Sequence, residues 1–123
     1  MIDCVTRSVL VVDDDPEFRK LARRLLSGSG LRVVGEAGSV AAALSEAGRL
    51  RPSAMLVDVE LPDGDGITLA RELAALPWRP LVVLTSIDGD ITTTEEAMNA
   101  GARAFVNKAD LPNAPLAQLL GDQ

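Results

Sequence analysis

Ala54-Met55-Leu56-Val57-Asp58-Val59-Glu60-Leu61-Pro62-Asp63-Gly64-Asp65-Gly66 is the stretch on which the reading of this chain turns. Its apolar or small residues, Ala54 to Val57 and Val59, bracket a single acid, Asp58, before Pro62, Gly64 and Gly66 end the strand pattern. That arrangement sets a carboxylate at the carboxyl end of a buried strand, the edge at which open α/β sheets bind ligands. Taken alone, Asp58 reads equally well as a cap for the structure that follows.

Outward from this stretch the pattern repeats. Ser8 to Val12 is a short, valine-rich strand signal that stops at Asp13, Asp14, Asp15 and Pro16. Asp15 with Pro16 behind it is a helix start, an acid at the N-cap and proline at the first helical position. Phe18, Leu21, Ala22 and Leu25 then recur at helical spacing, Arg19, Lys20, Arg23 and Arg24 form a solvated face, and Gly28 is the stop. A second strand lies within Leu31 to Ala37, and Ser39 caps a helix from Val40 to about Gly48 with Val40, Ala43, Leu44 and Ala47 inward. The loop after Asp58 leads into a helix from about Gly66 to Leu76, with Leu69, Ala70, Leu73 and Leu76 inward. Leu81 to Leu84 is a fourth strand ending in Thr85 and Ser86. Thr92 to Ala100 is a weaker helix, closed by Gly101 and blurred at its start by Thr92 to Thr94. Ala104 to Val106 is the fifth strand, ending at Asn107 and Lys108, and a last helix runs from Asn113 or Ala114 to Leu120. Five strand-helix repeats with short connections predict an α/β fold: a five-stranded parallel, doubly wound sheet with five helices, a three-layer α/β/α sandwich.

The 123 residues are expected to form one domain, residues 1–123, with no output domain in the chain. A chain of this length buries ~65–70% of the surface it exposes when unfolded. With 47% hydrophobic and only 2% aromatic residues, the core is expected to be Val, Leu and Ala. Twelve basic against eighteen acidic residues, a net charge of −6, argue against a nucleic-acid surface and for a partner that brings basic groups. Cys4 is the one cysteine, an incidental free thiol, and no apolar run approaches a membrane span, so a cytoplasmic protein without membrane contact is expected. The absence of histidine excludes His-based acid/base catalysis, Ser-His-Asp hydrolysis and His-ligated metals. Carboxylates must carry any chemistry.

In such a sheet the residues closing different strands converge on one edge. Here they are Asp13 and Asp14 after the first strand, Asp58 after the third, Thr85 after the fourth and Lys108 after the fifth. Clustered carboxylates repel unless a hard cation neutralises them, and oxygen donors without His or Cys select Mg²⁺.

This set resembles the receiver domain of two-component response regulators over essentially the whole chain. The resemblance is carried by Asp13-Asp14, by Asp-x-x-Leu-Pro-x-x-x-Gly around Asp58, by Thr85 and by Lys108. Val33 to Ser39 and Leu61 to Gly66 are most similar to receivers of the NarL and LuxR type. The resemblance implies a flavodoxin/CheY-like sheet and a phosphoacceptor at Asp58, which takes a phosphoryl group from phosphohistidine on a sensor histidine kinase or phosphotransfer protein. It further implies that Asp14, Asp58 and the backbone carbonyl of Glu60 ligate Mg²⁺, that Asp13 holds a metal-bound water, and that Lys108 screens the transferring group. Thr85 would sense the phosphoryl group, and Phe105, three residues before the lysine, would either turn inward in response or be a permanent core ring. The face made by the fourth helix, fifth strand and fifth helix would then meet a partner, a second copy in a homodimer or a DNA-binding output domain among the options, in transcription regulation.

Some positions depart from that family. Ala109 stands where proline usually follows the lysine, and Thr85 to Lys108 is 23 positions, one more than usual. Gly89 and the threonines suggest a rearranged start to the fourth helix. Glu60 and Ile87 flank the water route to the phosphate. Two other readings stay open: a pseudo-receiver that binds partners without phosphorylation, and a haloacid-dehalogenase-like Mg²⁺ phosphatase, which needs a second aspartate where Glu60 stands.

Overall fold

The computed structural model describes residues 7–88 and 91–121. Cys4 and Gly89, both singled out above, lie outside the described residues. Five strands form one parallel sheet: β1 (Ser8–Val12), β2 (Arg32–Ala37), β3 (Ala54–Asp58), β6 (Leu81–Ser86) and β7 (Ala104–Asn107), in the order β2-β1-β3-β6-β7. The helices are α1 (Pro16–Gly28), α2 (Val40–Leu50), α3 (Gly66–Ala74), α4 (Ile91–Asn99) and α5 (Leu116–Gly121).

Side chains of a strand alternate between faces, and here that alternation sorts the core into two layers. Leu10, Val12, Met55, Val57, Val82 and Leu84 face α2, α3 and α4, where Ala43, Ala47, Leu69, Leu73 and Ala97 meet them. Val9, Val11, Ala54, Leu56 and Val83 face α1 and α5, packing on Phe18, Ala22, Leu26, Leu116 and Leu120. The three-layer sandwich is the one expected.

Local features differ. The buried stripe of α1 is Phe18, Ala22 and Leu26, while Leu21 is exposed; spacing of four places these three on one line, and Leu21 falls off it. Leu44, expected inward, is exposed because Ala43 and Ala47 take the inner line of α2. Residues after Asp58 form a short antiparallel hairpin, β4 (Glu60–Leu61) with β5 (Gly64–Asp65), instead of an open loop. A 3₁₀ helix, Lys108–Asn113, precedes α5, which starts later than its periodicity suggests because Leu111 anchors the 3₁₀ turn in the core.

Candidate functional site at the carboxyl edge

The sheet register assembles the site. Val12 pairs with Val57, so Asp13 leaves β1 beside Asp58 at the end of β3. Asp58 pairs with Thr85, and Ser86 pairs with Asn107, which brings Lys108 to the same edge. The order of strands reverses between β1 and β3, so the two carboxylates flank the crevice of an open α/β sheet. Asp14, Asp58, Glu60, Ile87 and Lys108 line a cleft of about 360 Å³.

Asp13 is fully buried, Asp58 is 5% exposed, and Asp14 stands at the surface. Carboxylate oxygens of all three lie within 4.8 Å of one another. Asp13 Oδ1 accepts from the Asp15 backbone N–H at 2.9 Å. Asp13 Oδ2 forms an ion pair with Lys108 Nζ at 2.7 Å. The ammonium is also 3.4 Å from Asp58 Oδ2, and Asp58 Oδ1 accepts from Glu60 N–H at 3.4 Å.

Burial, reinforced by the like charge of Asp13, pushes the Asp58 carboxyl up to about 6 against the pull of Lys108 and the Glu60 N–H. Burial disfavours the Lys108 ammonium, but Asp13 and Asp58 outweigh it and hold its pKa above the ordinary lysine value. Three carboxylates share one ammonium, a donor set short of positive charge, and oxygen ligands of this kind suit a hard divalent cation.

Gly66 sets the shape of the loop. A Cβ there would overlap the Asp58 carbonyl oxygen, and the Gly66 N–H donates to the Val59 carbonyl at 2.7 Å. Val59 N–H donates in turn to the Thr85 carbonyl at 2.8 Å, tying the end of β3 to β6. The buried Thr85 hydroxyl reaches the Val57 carbonyl at 3.5 Å. Phe105 is half-buried against the core layer that contains Leu84 and Ala97.

Other contributors were read differently from the sequence. Arg19 is not simply a solvated residue: its Nη1 donates to the Asp13 carbonyl at 2.6 Å and its Nε to Glu36 at 2.9 Å, with Arg23 on the other Glu36 oxygen. The acid on β2 thus fixes an arginine that clamps the β1–α1 loop. Although burial opposes ionisation, the two guanidiniums keep Glu36 below the usual carboxylate range. Asp63, at the tip of the hairpin, accepts from Val40 and Ala41 N–H at 2.7 and 3.1 Å, capping α2 from a distance. The signal for Arg19 was its place one helical turn after Asp15; nothing local marks Asp63, since its partners lie more than twenty positions away.

Strand order and site geometry define the class: a doubly wound α/β domain with a carboxylate-and-lysine site at its topological switch point. The profile of the family described as the response regulator receiver domain matches residues 9–117, and the chain belongs to that family. It is a receiver domain of the two-component response regulators. The chain is 40% identical over 116 residues to the DNA-binding transcriptional activator DevR/DosR of Mycobacterium tuberculosis, covering 93% of this chain and 52% of that protein. It is 35% identical over 109 residues to protein-glutamate methylesterase/protein-glutamine glutaminase 3 of Hahella chejuensis, covering 87% of this chain and 31% of that one. It therefore spans only about a third to a half of these relatives. Among solved structures, the signal receiver domain assigned to NarL of Mycobacterium tuberculosis superposes with a TM-score of 0.83 at 31% identity, covering 94% of this chain and 98% of that one.

Proposed function

We propose that this receiver domain accepts a phosphoryl group on Asp58 and works as a switch. The observation that carries the reading is the cluster itself: a nearly buried acid, two further carboxylates within 4.8 Å, and a lysine ammonium 3.4 Å away. The donor is a phosphohistidine on a sensor kinase or phosphotransfer protein. An Asp58 oxygen attacks phosphorus, the P–N bond breaks as the P–O bond forms, and the electron pair returns to the imidazole nitrogen. Lys108 meets the negative charge of the transferring oxygens. Asp14, Asp58 and the Glu60 backbone carbonyl would hold Mg²⁺, with Asp13 behind a bound water; the ion, when bound, supplies charge neutralisation. Catalysis in this chain is confined to its own phosphorylation and dephosphorylation.

The phosphorylated side chain carries roughly −1.5 to −2 charges where the bare carboxylate carried one, and Thr85, which pairs with Asp58 across β3 and β6, responds to the change. Phe105, half-buried on the neighbouring strand, then shifts toward the core. The face formed by α4, β7 and α5 is the output, docking a partner or a second copy, with no direct nucleic-acid contact by this domain. A cytoplasmic setting fits a phosphohistidine donor, and among the described residues no helix is long and apolar enough to cross a membrane.

The test is intact mass after incubation with Mg²⁺ and a small phosphodonor, beside Asp58→Ala and a chelator control. A one-phosphoryl gain that requires both Asp58 and Mg²⁺ is expected. No gain by the folded protein would return the pseudo-receiver reading.

A further inference from the structure

Lys108 must keep its ammonium near two acids on a flexible four-carbon stem. Its Nζ lies 4.3 Å from the centroid of the Phe18 ring while contacting Asp13 and Asp58. Phe18 is the third residue of α1 and 9% exposed, packed in the layer with Ala22 and Leu26. The ring is therefore a fixed wall, and its face carries the negative side of the aromatic quadrupole. The 3₁₀ turn anchored by Leu111 fixes the backbone at Lys108 but not the far end of its four-carbon side chain. Of only three aromatic side chains in the sequence, Phe18, Trp78 and Phe105, one faces this lysine.

We propose that Phe18 is a positioning residue for Lys108, its ring face acting as the seat that holds the ammonium between Asp13 and Asp58. An aligned hydrogen bond restrains a donor in one direction, whereas attraction to a ring face changes little as the cation slides across it. The seat thus lets Nζ move from Asp13 toward a phosphoryl group on Asp58 without passing through an unpartnered state. That last step rests on Asp58 being the phosphoacceptor; the seat itself rests only on the geometry.

Phe18→Leu keeps an apolar side chain in the layer and removes the ring face, while Phe18→Tyr keeps the face. In ¹H–¹³C spectra the Lys108 ε-methylene, assigned by its loss in Lys108→Ala, is expected at an upfield, ring-shifted position in the wild type and Phe18→Tyr. It is expected to return to the ordinary lysine position in Phe18→Leu. The rate of phosphoryl gain from acetyl phosphate with Mg²⁺ is expected to fall roughly five- to thirtyfold in Phe18→Leu and to recover in Phe18→Tyr. Adding Phe18→Leu to Lys108→Ala is expected to cost nothing more. An unshifted ε-methylene in the wild type overturns the proposal, as does an equal rate loss with and without Lys108. The wild-type spectrum needs no substitution at position 18, so a misfolded variant leaves the test intact. A wild type that takes up no phosphoryl group but shows the shifted methylene refutes the phosphoacceptor reading and leaves the seat standing.

Discussion

The Lys108 ammonium stands closer to Asp13 than to Asp58, at 2.7 Å against 3.4 Å. Asp13 is the deeper acid, so the lysine chiefly compensates a buried charge and only secondarily attends Asp58. Removing one partner of a buried pair strands the other, at a cost of about 3 kcal/mol. Lys108→Ala is therefore expected to destabilise the metal-free domain by that order and to lift the Asp58 carboxyl beyond about 6. Urea unfolding in chelator and a carboxyl ¹³C titration of Asp58, also in chelator, check the two; stability unchanged in chelator would sink the first.

Asp58 gives the metal-free protein a pH dependence of definite sign. Its folded pKa, about 6, lies above its ordinary value of 3.8, so the folded state holds more protons and stability falls as pH rises through this window. Asp58→Asn removes the titration. In chelator it is expected to exceed the wild type at pH 8 by on the order of 2–3 kcal/mol, and the gap should close toward pH 4. A gap that is flat with pH contradicts the burial of an ionised Asp58.

Gly66→Ala places a methyl group against the Asp58 carbonyl. Neither atom set can retreat without breaking the Gly66 to Val59 hydrogen bond or displacing the end of β3. Roughly 2 kcal/mol or more of stability is expected to go, with phosphoryl uptake reduced further because the displaced residue is Asp58 itself. Thermal unfolding and intact mass read the two effects separately.

Asp63 is expected to stabilise the fold only when ionised. The Val40 and Ala41 N–H groups hold its pKa below the ordinary carboxylate value, so its contribution is present above that value and lost as pH falls through the folded one. Asp63→Ala should lower the unfolding temperature at pH 7, with the difference shrinking in acid. Amide exchange at Val40 and Ala41 should quicken in the variant; protection equal to the wild type would show that Asp63 does not cap α2.

The architecture was legible because a hydrophobic period is a local property. Runs such as Ser8 to Val12 and Ala54 to Val57 carry strand signals within a few residues, and Asp15-Pro16 and Ser39 mark helix starts the structure retains. The parallel sheet then follows from alternation alone, and it forces Asp13, Asp14, Asp58, Thr85 and Lys108 to one edge. Helix faces were less legible: Leu21 and Leu44 satisfy a helical spacing as well as Leu26 and Ala47 do, and only the position of the sheet decides between them.

What the sequence determined by itself is therefore a parallel sheet of alternating strands and helices and the acids, hydroxyl and amine that close its strands, since periodicity and chain-reversal rules act over short stretches. What only the tertiary structure decided is how those groups are held. Arg19 on the Asp13 carbonyl, Phe18 beneath Lys108 and Asp63 on the start of α2 join residues whose partners belong to other elements. A side chain's charge or ring is written in the sequence, but the neighbour that gives it a role is chosen by packing, through distances of a few ångströms that no spacing along the chain encodes.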